Sequence, residues 1–370
     1  MSRLPGLDLL RAIAIVWVMF FHAAMAGLGS PWMPMSQFGW MGVDLFFALS
    51  GYLIGWQVLR PLSQGRRLSF GDFYLRRAFR VLPAFWVVLA LYLLWPDFRE
   101  RPGMQPAWQF LSFSVNLLID YEHNKAFSHA WSLCVEEHFY LVFPLLAIAL
   151  TRKPALWKTG VVVALLVGGG MLLRAWVWRI SLPDGANAWV ENVYYPTWMR
   201  LDGLLFGVVL AAIRAYRPRW WEAMMRRSGW LALLGVLGVA AAIAVSQERL
   251  GLQASVFGFP LVSLALALLV AAGASEQRWT GRLRVPGAGW LAAASFSLYL
   301  THKAMFGLIS GAYGESLEAN GLLAFGAYAA AALLGGALLH YAVERPFLRL
   351  RERLAHRRAQ SADAAVAANA

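Results

Sequence analysis

Apolar runs of fifteen to twenty-three residues recur ten times along the chain, each cut off by a polar connection. They lie near 9–27, 39–59, 81–95, 129–150, 158–178, 199–213, 229–246, 254–273, 288–309 and 321–343. A helix needs roughly 20 apolar residues to cross a bilayer core. Only helices and closed barrels satisfy their own backbone inside lipid. The pattern predicts an all-α integral membrane protein of about ten transmembrane helices. The stretch 107–119 is apolar but too short to cross, and reads as an interfacial or re-entrant piece. No internal repeat is evident. Residues 1–345 form one transmembrane domain, and 346–370 a basic, then Ala-rich, low-complexity tail.

The polar interruptions inside these runs carry the chemistry. The first run holds Arg11 and His22. An eleven-residue step is about three helical turns plus 20°, so both side chains leave one face, about 16 Å apart along the axis. Charged residues at membrane depth are costly and usually line a polar pathway. Two on one face predict a polar shaft with an inner and an outer station. Ala24-Met25-Ala26 imitates a signal-peptide cleavage site. Arg11 and His22 inside the apolar run argue against that reading, so the segment is kept as the first span.

Composition agrees: of 370 residues 59% are hydrophobic and only 14% charged, where soluble domains carry about 25% charged residues. The net charge of +13 is distributed as a topology signal rather than as a nucleic-acid surface. Of 33 Lys and Arg, 24 fall in the even connections and at the two termini, and five in the odd connections. Basic residues in short loops stay inside, so both termini are expected in the cytoplasm. No recognition module for nucleic acid accompanies the charge. The single cysteine, Cys134, excludes an intrachain disulfide and a Cys-based zinc site, and reads as a packing residue. No metal is expected.

With orientation set, each polar residue gains a depth. Arg11 lies near the inner leaflet and His22 in the outer half. Asp44, His129, Glu136, Glu137, Arg200, Asp202 and His302 then fall in one outer-to-middle layer contributed by separate helices. Arg76, Arg77 and Arg80 gather with Arg11 on the inner side. Simpler readings stand beside these. Asp44 and Arg200 read equally as interfacial residues or as one structural ion pair. Lys303 reads as a snorkelling residue and Arg76 as a topology determinant. Glu136 and Glu137 point 100° apart, so one is expected to line the shaft and the other to pair with a neighbour.

Several blocks resemble the acyltransferase 3 family of membrane acyltransferases. Gly6-Leu-Asp-Leu-Leu-Arg11 through His22 resembles its Arg-x10-His signature. Residues Gly42 to Ile54 resemble its second-helix block, and Arg77-Ala-Phe-Arg80 its Arg-x-x-Arg pair. His129-Ala-Trp-Ser-Leu-Cys-Val-Glu-Glu-His-Phe-Tyr140 and Arg200-Leu-Asp-Gly-Leu-Leu-Phe-Gly207 are similar to later blocks. Ser295 to His302 and Val343-Glu-Arg-Pro-Phe347 resemble the closing ones. The departures are minor: His138 stands where Gln is common and Tyr52 where Phe is common.

The resemblance implies a ten-helix bundle that takes an acyl group, usually acetyl, from cytoplasmic acyl-CoA. The acceptor would be a glycan or lipid-linked sugar outside a bacterial inner membrane, in company with polysaccharide-synthesis proteins. Arg11, Arg77 and Arg80 would hold the CoA phosphates by charge-assisted hydrogen bonds. His22 would act as general base, oriented by Asp44, Glu136 or Glu137, or as transient acyl carrier. Trp131, Ser132, His129, Arg200, Asp202 and His302 would contact thioester or sugar. Many relatives carry an SGNH hydrolase-like domain. None is read in this sequence, so transfer is expected without a fused second-step partner. The alternative from another class is a transporter or flippase of a lipid-linked saccharide. It would be expected to show paired broken helices or repeats.

The charge count makes a direct prediction. Cysteines introduced at Ser69 or Ser361 should react with an impermeant maleimide only from the cytoplasmic face, and one at Ser30 only from outside. Labelling of Ser361→Cys in intact cells would break the even span count.

Overall fold

Proline at the first helical position opens α1 (Pro5–Met25). Its fixed φ suits a helix, and its missing N–H would have no intrahelical partner there. The structure, a computed structural model, describes residues 4–27, 36–152, 155–317 and 321–355. Long helices follow in order: α2 (Met41–Ser63), α3 (Phe70–Leu94), α4 (Trp131–Thr151), α5 (Leu156–Ser181) and α6 (Asp202–Tyr216). Then come α7 (Ser228–Val245), α8 (Phe259–Gly273), α9 (Ala288–Leu317) and α10 (Gly321–Leu339). Ser69 caps α3, its Oγ accepting from the Asp72 amide at 3.3 Å. Of the positions named for labelling, Ser69 is therefore seen, while Ser30 and Ser361 lie outside the described residues.

Among the described residues, eight helices are long and apolar enough to cross a membrane. The protein is an all-α integral membrane protein. Two of the ten expected spans are present as helices without meeting that measure. α6 has only 15 residues. α9 has 30, and Ser295, Ser297, Thr301, His302 and Lys303 dilute its apolar character. The stretch 107–119 contains only the short helix Ala107–Leu111. α10 continues through a π-helical turn, His340–Glu344, to Ala355. It thus runs past the 345/346 boundary expected for the tail, whose residues 356–370 lie outside the described ones.

Burial separates axis from periphery. In the most apolar window of α2, 72% of residues are buried, against 11% in α5 and 17% in α7. α2 is therefore the axis, and it packs on α6 through small residues. A Cβ on Gly51 would collide with the Leu204 carbonyl oxygen, and one on Gly207 with that of Ala48. Helices in lipid associate by such close approach, because lipid tails are as apolar as the side chains they would displace. Outward faces carry Leu141, Leu145, Leu172, Trp230, Leu322 and Leu338, all exposed. Apolar surface on this scale calls for a lipid environment.

Candidate active site

α1 delivers Arg11 and His22 into two chambers in series, as the helical spacing requires. Arg11 lines a cavity of about 410 Å³ together with Arg77 and Arg80 of α3 and Glu136 of α4. Among the described residues, its one carboxylate partner is Asp8, at 3.9 Å. The guanidinium of Arg77 lies over the Tyr140 ring at 5.6 Å, with a buried Nε that has no acceptor. Arg80 is held at 2.7 Å by Glu344. Glu344 is itself fixed by Ser297 Oγ at 2.7 Å and His340 Nδ1 at 2.9 Å. The π turn at 340–344 sets both His340 and Glu344 inward, and such turns are frequent at functional sites. Glu136 accepts from Ser50 at 3.0 Å and from Tyr140.

His22 lines a smaller cavity of about 90 Å³ with His129, Trp131, Tyr194, Arg249 and Lys303. His302 approaches it, placing Nε2 at 2.8 Å from His22 Nδ1. The other nitrogen of His302, Nδ1, lies 3.0 Å from the Leu298 carbonyl oxygen. A carbonyl only accepts, so this nitrogen carries the proton. With both rings neutral, His302 Nε2 must accept and His22 Nδ1 must donate. The remaining lone pair of His22 sits on Nε2. A backbone carbonyl thus sets the tautomer of His22 through a second imidazole, and leaves it a base.

The two chambers adjoin at a shared wall, the neck. Val43 and Tyr299 line both cavities. Tyr299 Oη donates to the His129 carbonyl at 2.9 Å and bonds Ser132 Oγ at 2.5 Å. Neighbours in sequence, Trp131 and Ser132 open onto opposite sides of the neck. Just before this block Phe127 adopts φ 55°, a strained left-handed conformation for a bulky residue. Stacking on Tyr92, with ring centroids 4.4 Å apart, and on Phe85 and Phe110 holds it there. On its far side the histidine cavity meets a vestibule of about 690 Å³, which shares His22, Tyr121, Ser128 and Lys303.

Of the residues expected at the site, the structure brings together His22, His129, His302, Trp131 and Ser132 near the neck, and Arg11, Arg77, Arg80 and Glu136 below it. Four fall elsewhere. Asp44 does not orient His22; both its oxygens accept from Arg200 Nη2, at 2.8 and 2.9 Å. Arg200 is 1% exposed and lies over Phe259, Tyr194 and Trp131. Asp202 pairs with Arg174 at 2.8 Å. Asp44, Arg200 and Asp202 line neither chamber; their pairs tie α2 to the start of α6 and α5 to α6. A desolvated carboxylate and guanidinium fit best against each other. Glu137 also misses the chambers, and its Oε1 is buried without a partner. Of Asp44, Glu136 and Glu137, Glu136 alone lines a chamber, and it is the arginine chamber, not that of His22.

Sequence reasoning also missed residues. Lys303 does not snorkel: it bonds Glu100 at 2.8 Å and Ser128 at 2.9 Å inside the site. Nothing in the sequence announces its pairing with Glu100, a loop residue 203 positions away. Tyr299 was findable, since it precedes His302 by three residues and so shares its helix face.

Comparison with known proteins gives a family. A family model described as an acyltransferase domain matches residues 4–341. The peptidoglycan O-acetyltransferase OatA of Listeria monocytogenes is 25% identical over 321 residues, 80% of this chain and 48% of the relative. A putative O-acetyltransferase of Staphylococcus aureus is 28% identical over 338 residues, covering 85% of this chain and 52% of its own. A putative peptidoglycan O-acetyltransferase of Bacillus subtilis, YrhL, is 26% identical over 321 residues, 81% and 48% of the two chains. The chain thus spans about half the length of these relatives. No solved structure matches.

The buried pair generates a stability prediction. Arg200→Met leaves Asp44 charged or protonated without its partner, and breaking such a pair costs about 3–5 kcal/mol. The thermal midpoint in detergent should fall sharply for Arg200→Met and recover in Asp44→Asn/Arg200→Met. A single variant as stable as the wild type would show that the pair is not structural.

Proposed function

This chain belongs to the acyltransferase family whose model it matches over residues 4–341, and from that premise we propose that it carries an acetyl group from cytoplasmic acetyl-CoA to a hydroxyl of a glycan outside the membrane. The observation that carries the reading is the series of chambers along α1, with unfilled guanidinium donors at one end and a base at the other. In this reading α6 and α9 also cross, which makes ten spans with both termini cytoplasmic, in a bacterial inner membrane. Membership of an acyltransferase family favours this reading over a transporter. The names of the Listeria and Bacillus relatives favour a cell-wall glycan as acceptor.

Among the described residues, Arg11 and Arg77 offer guanidinium groups with no bidentate carboxylate partner, and Arg80 is steered by Glu344 to the same cavity. They hold the CoA phosphates by charge-assisted hydrogen bonds. The acyl-pantetheine arm extends along the cavity to the neck at Tyr299 and Ser132, roughly the 16 Å that separates Arg11 from His22 along the helix. At His22, Nε2 takes the proton of the sugar hydroxyl as its oxygen attacks the thioester carbonyl, and the thiolate of CoA leaves. His302 is the positioning partner that keeps Nε2 unprotonated and aimed. Asp44, Glu136 and Glu137 have no part in that step; Glu136 with Tyr140 shapes the arginine chamber. The same lone pair on His22 also serves a two-step route in which an acyl-imidazole forms first.

Two outcomes follow. His22→Ala should abolish acetyl transfer with expression and membrane insertion intact; product near the wild-type level would remove His22 from the chemistry. Arg77→Ala/Arg80→Ala should weaken acetyl-CoA binding, each lost contact being worth about 1.5–3 kcal/mol, with acceptor affinity held. An unchanged titration with CoA would leave these arginines a role in topology alone.

A further inference from the structure

Basic residues outside the membrane run against the bias that sets topology. Only five Lys or Arg fall in the connections assigned to that side: Arg99, Arg101, Lys125, Arg179 and Arg249. All but Arg179 line the vestibule or the histidine chamber. Cations that are kept where translocation disfavours them, and gathered beside His22, call for a reason beyond topology.

Their partners divide them. Arg99 closes the C-terminal end of α3, donating from Nε to the Tyr92 carbonyl at 2.7 Å and from Nη2 to that of Leu93 at 3.3 Å. Lys303, from α9, is neutralised by Glu100. Arg101, Lys125 and Arg249 have no carboxylate within ion-pair distance among the described residues. Arg101 reaches the Met25 carbonyl at 3.5 Å. The Lys125 ammonium lies 5.4 Å from the Tyr121 ring centroid. Arg249 lies 4.7 Å from that of Tyr194, with its buried Nε unpartnered.

Two nearby acids, Asp120 and Glu191, are otherwise engaged. Asp120 accepts from the His123 amide at 3.1 Å and from its Nδ1 at 3.0 Å. That amide holds the Asp120 carboxyl below its usual range. Glu191 accepts from the Tyr121 amide. Glu122, exposed, is the only carboxylate besides Glu100 in the vestibule lining described. The rim above His22 therefore carries an excess of positive charge, Arg99, Arg101, Lys125 and Lys303 against Glu100 and Glu122. Below it the wall is aromatic: Tyr121, Trp131, Tyr194 and Tyr195 line the histidine chamber, faces suited to a sugar ring.

We infer that the acceptor is an anionic sugar, whose carboxylate or phosphate rests on Arg101 and Lys125 at the vestibule rim while its hydroxyl faces His22 in the chamber below. The inference rests on the acyl-transfer reading for the role of His22, but not for the charge of the ligand. It is tested by binding, which reads out with or without turnover. The full chain in detergent is titrated with three labelled probes. They are chitotetraose, a GlcNAc–MurNAc tetrasaccharide with free lactyl carboxylates, and 6-phosphorylated chitotetraose.

At least one acidic probe should bind about tenfold or more tighter than chitotetraose, in keeping with the loss of a charge-assisted contact. The gap should close in Arg101→Gln/Lys125→Gln and shrink as salt rises. Which acidic probe wins tells carboxylate from phosphate. Equal affinity for all three probes, or a gap that survives in the double variant, overturns the inference. Acetyl transfer from acetyl-CoA is measured in parallel. No transfer with the preference intact sinks the acyl-transfer reading alone, and transfer without any preference sinks this inference alone.

Discussion

A charge removed from water must find a partner, and in this molecule the partner nearly always comes from another helix or from a loop distant in sequence. Arg200 holds Asp44 of α2, Arg174 of α5 holds Asp202 of α6, and Arg80 of α3 holds Glu344 beyond α10. Lys303 of α9 holds Glu100 in the loop after α3. Burying such pairs adds little net stability, while breaking one is expensive. Their effect is to fix which helices neighbour which. An apolar surface cannot do this in lipid, because lipid competes for it on equal terms. Small residues such as Gly51 and Gly207 then let the paired helices close.

Against that background the incompletely satisfied groups stand out. They are the guanidiniums of Arg11 and Arg77 at one end of the route, and Arg101, Lys125 and Arg249 at the other. Between them lies the second nitrogen of His22. Polar groups left open at membrane depth mark a pathway. Here they occur in an order: guanidinium donors, a neck at Tyr299, an imidazole lone pair, then a cationic rim. Each position suits one part of the proposed acetyl transfer.

The helical spacing of Arg11 and His22 was legible because α-helical periodicity needs no tertiary information, and both side chains line the chambers as that spacing requires. The all-α membrane class was legible for the same reason, since run length and apolarity are local quantities. Span count was less so. α9 is lengthened and made polar by the residues it brings to the site, and hydropathy weighs those residues without seeing which way they face. Tyr299, three residues before His302, lay within reach of the same periodicity argument.

Sequence by itself determined the helices, their membrane setting and the shared face of Arg11 and His22. Depth is one coordinate; it leaves the angle around the bundle open. Only tertiary structure decided that Asp44 turns to Arg200 and not to His22, that Glu136 belongs with Tyr140 below the neck, and that His302 orients His22. The physical reason is that a hydrogen bond acts over about 3 Å. Residues sharing a membrane layer on different helices meet only if packing rotates them together.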